Sequence, residues 1–301
     1  MLLRAKDKIL ITGGGGQLAR EVYEMFFEKK SSLGDVFKEK DEFEIFSLTS
    51  KQLDIANKEE VFYIIKKEKP TAIINCAAYT DVDGCEDYVE KAFSVNAIGP
   101  RNLAIICEKE NIKLVHISTD YVFSGEEKEE KIESDLVNPK TVYGKSKVLG
   151  ETYVKNFCRK WFILRTSWLY GKYGKNFVKT IVRAAKEKKE LFVVNDQFGS
   201  PTNAQDLSFA IAKLIFTEEY GLYHCSGNGK ASWYDFACEI VKCFKINASV
   251  KPISSDEIKR KAKRPHFSKL NNLMLKLTVG DCFRDWKAAL KDFSENVKTI
   301  F

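Results

Sequence analysis

The sequence predicts an α/β fold: a doubly wound parallel sheet covered by helices, with a smaller, discontinuous α/β part beside it. Three observations carry this. Short apolar runs alternate with longer helical patterns through the first 165 residues. A run of four glycines directly follows the first apolar run. After Thr166 the alternation loosens, as the chain turns to shorter strands and a basic loop. Strands separated by helices imply right-handed βαβ crossovers and therefore a parallel sheet buried on both faces.

Each element follows from its pattern. Residues 8–12 form a short apolar strand, and 18 to about 29 have helical periodicity. Strand 43–48 and helix 61–67 come next, then strand 71–75. A helix follows Pro100, from about 102 to 110, and 113–118 is again β. Residues 143–157 are helical and 161–165 return to strand. Beyond Thr166, strands are expected at 191–194 and 222–225, and helices at 207–216, 234–244 and about 283–297. This divides the chain into a dinucleotide-binding domain at 1–165, which takes back 191–216, and a substrate-binding part at 166–190 and 217–301.

The composition excludes several classes. With 301 residues, a prior of about 150 per domain allows one large domain or two smaller ones. A hydrophobic content of 44% excludes a disordered chain. The net charge of +7 suits small anionic ligands and falls short of a nucleic-acid-binding composition. The basic loop at 259–264 lacks the interleaved aromatics of a nucleic-acid patch. The eight cysteines contain no CxxC pair and only three histidines accompany them, so no metal site is predicted. The charged opening, 1–8, does not have the form of a signal peptide, and no run approaches the roughly 20 apolar residues of a membrane span. Reduced thiols without such a signal suggest the cytoplasm.

Two constellations carry chemistry. In TGGGGQLA, residues 12–19, glycines between strand and helix allow a tight turn at Gly13 and Gly16. They also let backbone amides approach a diphosphate at the positive helix end. The small residue needed where helix packs on strand is Ala19. The end of the second strand distinguishes the two nicotinamide dinucleotides. It runs into Thr49, Ser50 and Lys51, with no acid before Asp54. That favours NADPH and leaves NADH open.

The second constellation is YGKSK, residues 143–147. Tyr143 and Lys147 lie four apart on one helix face. An ammonium beside a phenol is expected to lower the phenol pKa from about 10, so that Tyr143 can exchange a proton with a carbonyl oxygen. Lys147 can also hydrogen-bond a ribose. The preceding strand ends at Ser118 and Thr119, where a hydroxyl would bind the same oxygen. His116 and His224, within or ending strands, are read as packed residues, and Trp168 as either a pocket wall or a core aromatic.

In this order, glycine turn, hydroxyl and YxxxK resemble the extended short-chain dehydrogenase/reductase superfamily. The stretches NCAA with Asp83, STDYVF at 118–123, RTSWLYG at 165–171, DQFGSPT at 196–202, GLYH at 221–224 and RPHFSKL at 264–270 narrow the match. The chain is similar there to the dTDP-4-dehydrorhamnose reductase family. That resemblance, over about residues 8–270, implies the following roles. Gly16, Gln17 and Leu18 would contact the cofactor diphosphate, and Asp54 and Ile55 its adenosine end. Ala77, Ala78 and Tyr79 would border the nicotinamide, although Tyr79 stands where members often have His. Thr119, Asp120 and Trp168 would contact the sugar, with Tyr143 as proton donor and Lys147 on the ribose. Asn176, Phe177 and the loop at Arg264 would hold the nucleotide diphosphate, with His266 close by.

The expected reaction is reduction of the C4 ketone of a nucleotide sugar by NADPH or NADH, in a monomer or homodimer without nucleic-acid or membrane partners. Some members require Mg²⁺, but no carboxylate cluster in the sequence predicts it here. A nucleotide-sugar epimerase or dehydratase of the same superfamily is the alternative enzyme. Against a dehydratase, Asp120 is followed by Tyr121 and not by an Asp–Glu pair. The third reading is a non-catalytic regulatory subunit on the same fold, against which the intact Thr119, Tyr143 and Lys147 speak.

Overall fold

The computed structural model describes residues 7–37 and 42–297; the opening segment 1–6 therefore lies outside it. The first half runs β1 (Asp7–Thr12), α1 (Gln17–Glu28), β2 (Phe43–Leu48), α2 (Lys58–Glu68) and β3 (Ala72–Asn75). It continues through α3 (Val82–Asp87), α4 (Val89–Phe93), α5 (Gly99–Lys109), β4 (Lys113–Thr119), α6 (Val142–Phe157) and β5 (Trp161–Thr166). The second half contains β6 (Leu169–Tyr170), α7 (Phe177–Glu187), β7 (Glu190–Val194), β8 (Phe198–Gly199), β9 (Thr202–Asn203) and α8 (Ala204–Ile215). It ends with β10 (Gly221–His224), β11 (Ala231–Ser232), α9 (Trp233–Cys243), β12 (Ser249–Ile253), α10 (Leu273–Thr278) and α11 (Trp286–Asn296).

The central sheet has six strands in the order β10-β5-β4-β3-β1-β2, paired in parallel throughout. Both faces are covered, as apolar strands require. Ile9 and Ile11 of β1 pack with Val22 and Phe26 of α1 and Leu207 and Ile211 of α8. Leu10, pointing the other way, packs with Val61 and Ile65 of α2 and Leu103 of α5. The neighbours of β1 lie on opposite sides, β2 and β3, so the switch point falls at Thr12 and Asn75. There the Thr12 hydroxyl donates to Asn75 Oδ1 at 2.6 Å. Crevices at such a point, beyond the carboxyl ends of the strands, are where α/β sheets bind ligands.

A second core gathers Tyr170, Val178, Ile181, Phe236, Ile240, Trp286 and Phe293 from α7, α9, α11 and β6. Two of the short strands change places relative to the sequence reading. Residues 191–194, expected beside the cofactor part, pair through β7 with β12 and pack in this second core. The strand near 222–225, expected in the substrate part, is β10, the sixth strand of the central sheet. Both are brief apolar runs, and local pattern cannot show which core each one joins.

The helix expected after Pro100 also begins earlier. It starts as α4 and passes through a π turn at Ser94–Ile98 into α5. Pro100 has no N–H to give, and the wider turn just before it absorbs that missing bond. All eight cysteines are free, four of them buried and four partly so. Among the described residues, no helix is long and apolar enough to cross a membrane, and no group of three His, Cys, Asp or Glu could hold a metal.

Candidate active site

A cleft of about 600 Å³ opens at the switch point. A larger hollow of about 830 Å³ runs along β2, but no buried polar side chain lines it. The 600 Å³ cleft is where polar groups converge.

Its first wall is the glycine turn. Gly13 has φ +71°, and a Cβ there would lie 2.7 Å from the Ala77 backbone, so only glycine lets the ends of β1 and β3 meet. Gly16 caps α1 without a side-chain hydrogen bond, and the first turn carries no acid. The leading N–H groups of α1 are therefore left to the cleft, which Gly15, Gly16, Gln17 and Leu18 line. Ala78 lines it from the end of β3, while Ala77 N donates to Asn75 Oδ1 at 3.2 Å. Tyr79 lies just beyond, its backbone clamped by Asn96 at 2.8 and 3.0 Å.

The second wall is α6, capped by Thr141, whose hydroxyl accepts from Gly144 N at 3.0 Å. Tyr143 and Lys147 both face the cleft, 9% and 2% exposed. The helix sits close because a Cβ on Gly144 would lie 2.2 Å from Tyr121 O. Lys147 Nζ donates to Ile117 O at 2.6 Å. Between these walls β4 delivers Thr119, which donates to Asp120 Oδ1 at 2.9 Å.

Burial sets the protonation of this group. It pushes the Tyr143 phenol above its usual value, opposed by the neighbouring Thr119 hydroxyl and reinforced by Asp120. The expected lowering by Lys147 is overturned, because that ammonium is held at Ile117 and burial of the phenol dominates. Lys147 itself is lowered to about 8 by burial, against the pull of Glu151. Asp120 is raised to about 6 by burial, against the nearby hydroxyls of Ser268 and Thr119, the latter donating to it. Cys76, also lining the cleft, is pushed up to about 12 by burial, too high for a reactive thiolate.

The third wall is aromatic. Trp168 adopts φ +46° and stacks on Trp233 with ring centroids 3.5 Å apart and planes 5° apart; both line the cleft. A non-glycine residue in this left-handed conformation is strained, as residues at functional sites often are.

Residues 7–299 match the family model for the RmlD substrate binding domain. The chain belongs to that family. It is 40% identical to the dTDP-4-dehydrorhamnose reductase of Aggregatibacter actinomycetemcomitans, over 95% of this chain and 97% of the relative. A dTDP-4-dehydrorhamnose reductase crystal structure from Clostridium acetobutylicum superposes with TM-score 0.91 at 44% identity, covering 97% of this chain and all of that one. Another, from Bacillus anthracis in complex with NADP, has TM-score 0.91 at 41% identity, covering 97% and 99%.

Other residues singled out in this RmlD-family sequence stand further from the cleft. Asp54 accepts from Ala56 N at 2.9 Å, and Ile55 is buried beneath Gly99. Asn176 caps α7 and donates to Gln17 Oε1 at 2.6 Å, joining the glycine turn to the opposite part. Arg264 donates to Asp83 Oδ2 at 2.8 Å, and its Nη1 is buried without a partner. Lys261 pairs with Asp87, so acids of α3 engage two cations of the basic loop. His116 is buried and meets Asn75 Nδ2 at 2.9 Å, and His224 meets backbone carbonyls of Lys131 and Asn271. His266 is exposed, near Asp196 O.

Three residues escaped the sequence reading. Asn96 holds the backbone of Tyr79 and donates to Ser146 Oγ at 3.1 Å, while Ser146 Oγ donates to Tyr143 O at 2.7 Å. A polar residue inside an apolar helical stretch was its only signal. Trp233 opens α9 after a capping box at Ser232 and Asp235, and nothing local points it at Trp168. Glu151 lies one turn beyond Lys147 on α6 and is buried with Arg165.

Proposed function

We propose that this chain reduces the C4 ketone of dTDP-4-dehydro-L-rhamnose to dTDP-L-rhamnose, with NADPH or NADH, in the cleft at the switch point. The observation that carries the proposal is the convergence of Thr119, Tyr143 and Lys147 opposite the glycine turn. Reductases of that name among the relatives support it.

The turn fits a dinucleotide. A Cβ on Gly15 would project into open space, its nearest neighbour 4.0 Å away, and the N–H groups leading α1 have no side-chain cap. Gly13, Gly16, Gln17 and Leu18 would hold the diphosphate, Asp54 and Ile55 the adenosine side, and Ala77, Ala78 and Tyr79 the nicotinamide side. Ser50 and Lys51, exposed after β2, are the candidates for a 2′-phosphate. The cofactor supplies the hydride when bound. Lys147 holds the adjoining ribose.

Tyr143 delivers the proton to the C4 oxygen as charge develops there, and burial keeps the phenol protonated until then. Thr119 turns its hydroxyl from Asp120 to the same oxygen and stabilises the charge forming there. Asp120 and Trp168 hold the sugar ring. Asn176, on Gln17, and Arg264, on Asp83, sit where the two parts of the chain meet. In this reading, residues 7–165 with 204–224 bind the dinucleotide, and the second core carries the substrate side.

The test is direct. The chain is incubated with NADPH and dTDP-4-dehydro-L-rhamnose, following reduced-nicotinamide absorbance and product sugar. Sugar-dependent oxidation with dTDP-L-rhamnose formed is the expected result, and no oxidation would sink the proposal.

A further inference from the structure

Within RTSW, one cleft side chain has neither a part in the chemistry above nor a hydrogen-bond partner. Thr166 is 7% exposed and lines the cleft, and its buried hydroxyl has no hydrogen-bond partner. Its neighbours are all engaged. Ser167 Oγ donates to Ser200 O at 2.7 Å, Arg165 and Ser118 both bond Glu151, and Thr119 bonds Asp120. A hydroxyl withdrawn from water and left unpaired is costly, so one facing a cleft calls for a ligand atom.

The sheet indicates which atom. β4 and β5 are in register, with Thr119 beside Thr166 at the strand ends, about 4.8 Å apart in the hydrogen-bonding direction. Lys147, the ribose ligand in the reading above, is anchored at Ile117, two residues before Thr119 on β4. In the reading above, β2 adjoins the adenosine side, the β1 turn the diphosphate, the end of β3 the nicotinamide side and β4, through Lys147, its ribose. β5 is the next strand outward, so Thr166 stands at the far edge of that nicotinamide subsite, beside Thr119.

We propose that the Thr166 hydroxyl accepts a hydrogen bond from the amino group of the nicotinamide carboxamide and so fixes the orientation of the ring. Held in this way, one face of the ring looks towards Thr119 and Tyr143. The inference rests on the dinucleotide reading of the cleft, and it gives the RTSW threonine a cofactor-orienting role.

The experiment measures binding of NADPH, and of reduced 3-acetylpyridine adenine dinucleotide phosphate, by fluorescence without sugar. The analogue lacks the carboxamide amino group. Wild type, Thr166→Val and Thr166→Ser are compared, with thermal melts to confirm folding. Thr166→Val is expected to weaken NADPH about fivefold to tenfold, as loss of one neutral hydrogen bond does. Thr166→Ser should restore the affinity, and wild type and Thr166→Val should bind the analogue alike. The inference is overturned if Thr166→Val binds NADPH as wild type does or weakens both dinucleotides equally. Should Thr166→Val not fold, Thr166→Ala takes its place with the same expectations. A wild-type chain that binds neither dinucleotide would overturn the function itself as well.

Discussion

Arg165 donates to both oxygens of Glu151, at 2.9 and 2.7 Å, with both side chains 2% exposed. Glu151 Oε1 also accepts from Ser118 Oγ at 2.6 Å. One carboxylate therefore ties the ends of β4 and β5 to α6, one turn beyond Lys147. Burial alone would raise its pKa, but the hydrogen bonds and charge of Arg165 outweigh this and hold it below the ordinary value. A carboxylate lowered in the folded state adds stability above its unfolded pKa and loses it on acidification.

Breaking this pair is expected to be expensive. Glu151→Ala leaves a buried guanidinium uncompensated, for about 3–5 kcal/mol of lost stability at neutral pH. Urea melts of wild type and variant measure it. Their difference should shrink as pH falls below the carboxylate's ordinary 4.5.

Glu151→Gln keeps the shape and removes the charge. Lys147 sits at about 8, and Glu151 is the main influence raising it. Without that charge Lys147 should lose its proton at lower pH. The alkaline limb of kcat/KM, expected near pH 8 in wild type, should move towards neutrality in the variant. A limb that stays in place would show that Glu151 only packs the helix.

Asp120 is raised to about 6 from 3.8, so the folded chain retains a proton there that the unfolded chain releases. Stability contributed by this group is lost as pH rises between those values. Asp120→Asn should therefore be more stable than wild type at pH 7, on the order of 2 kcal/mol, and less active. Melts at pH 4 and pH 7 check the sign, because the advantage should appear only at the higher pH.

The Trp168–Trp233 stack is expected to act on the sugar alone. Trp233→Ala removes the face against which Trp168 rests. It should raise the KM for the keto-sugar about tenfold while leaving the Kd for NADPH within about twofold. Steady-state kinetics and cofactor titration separate the two.

How much of this was legible in the sequence depended on range. The Ile9–Ile11 run, the glycine turn and the Tyr143–Lys147 spacing are local, and each appears in the expected place. Sheet membership of β7 and β10 is settled by long-range burial, and their sequences are interchangeable as short apolar strands. The basic loop suggested an anion, yet Arg264 and Lys261 meet Asp83 and Asp87, acids about 180 residues earlier in the chain. The Tyr143 phenol was misjudged for a similar reason. Spacing shows that Lys147 shares its helix face, but not that Ile117 holds the ammonium or how deeply the phenol is buried.

The central claim is that the buried phenol of Tyr143 supplies the proton to a keto-sugar reduced at this cleft. Turnover of Tyr143→Phe with NADPH and dTDP-4-dehydro-L-rhamnose tests it most directly, alongside NADPH binding by fluorescence. The expected result is wild-type cofactor affinity with turnover reduced about 100-fold or more. Turnover at the wild-type rate would contradict the mechanism.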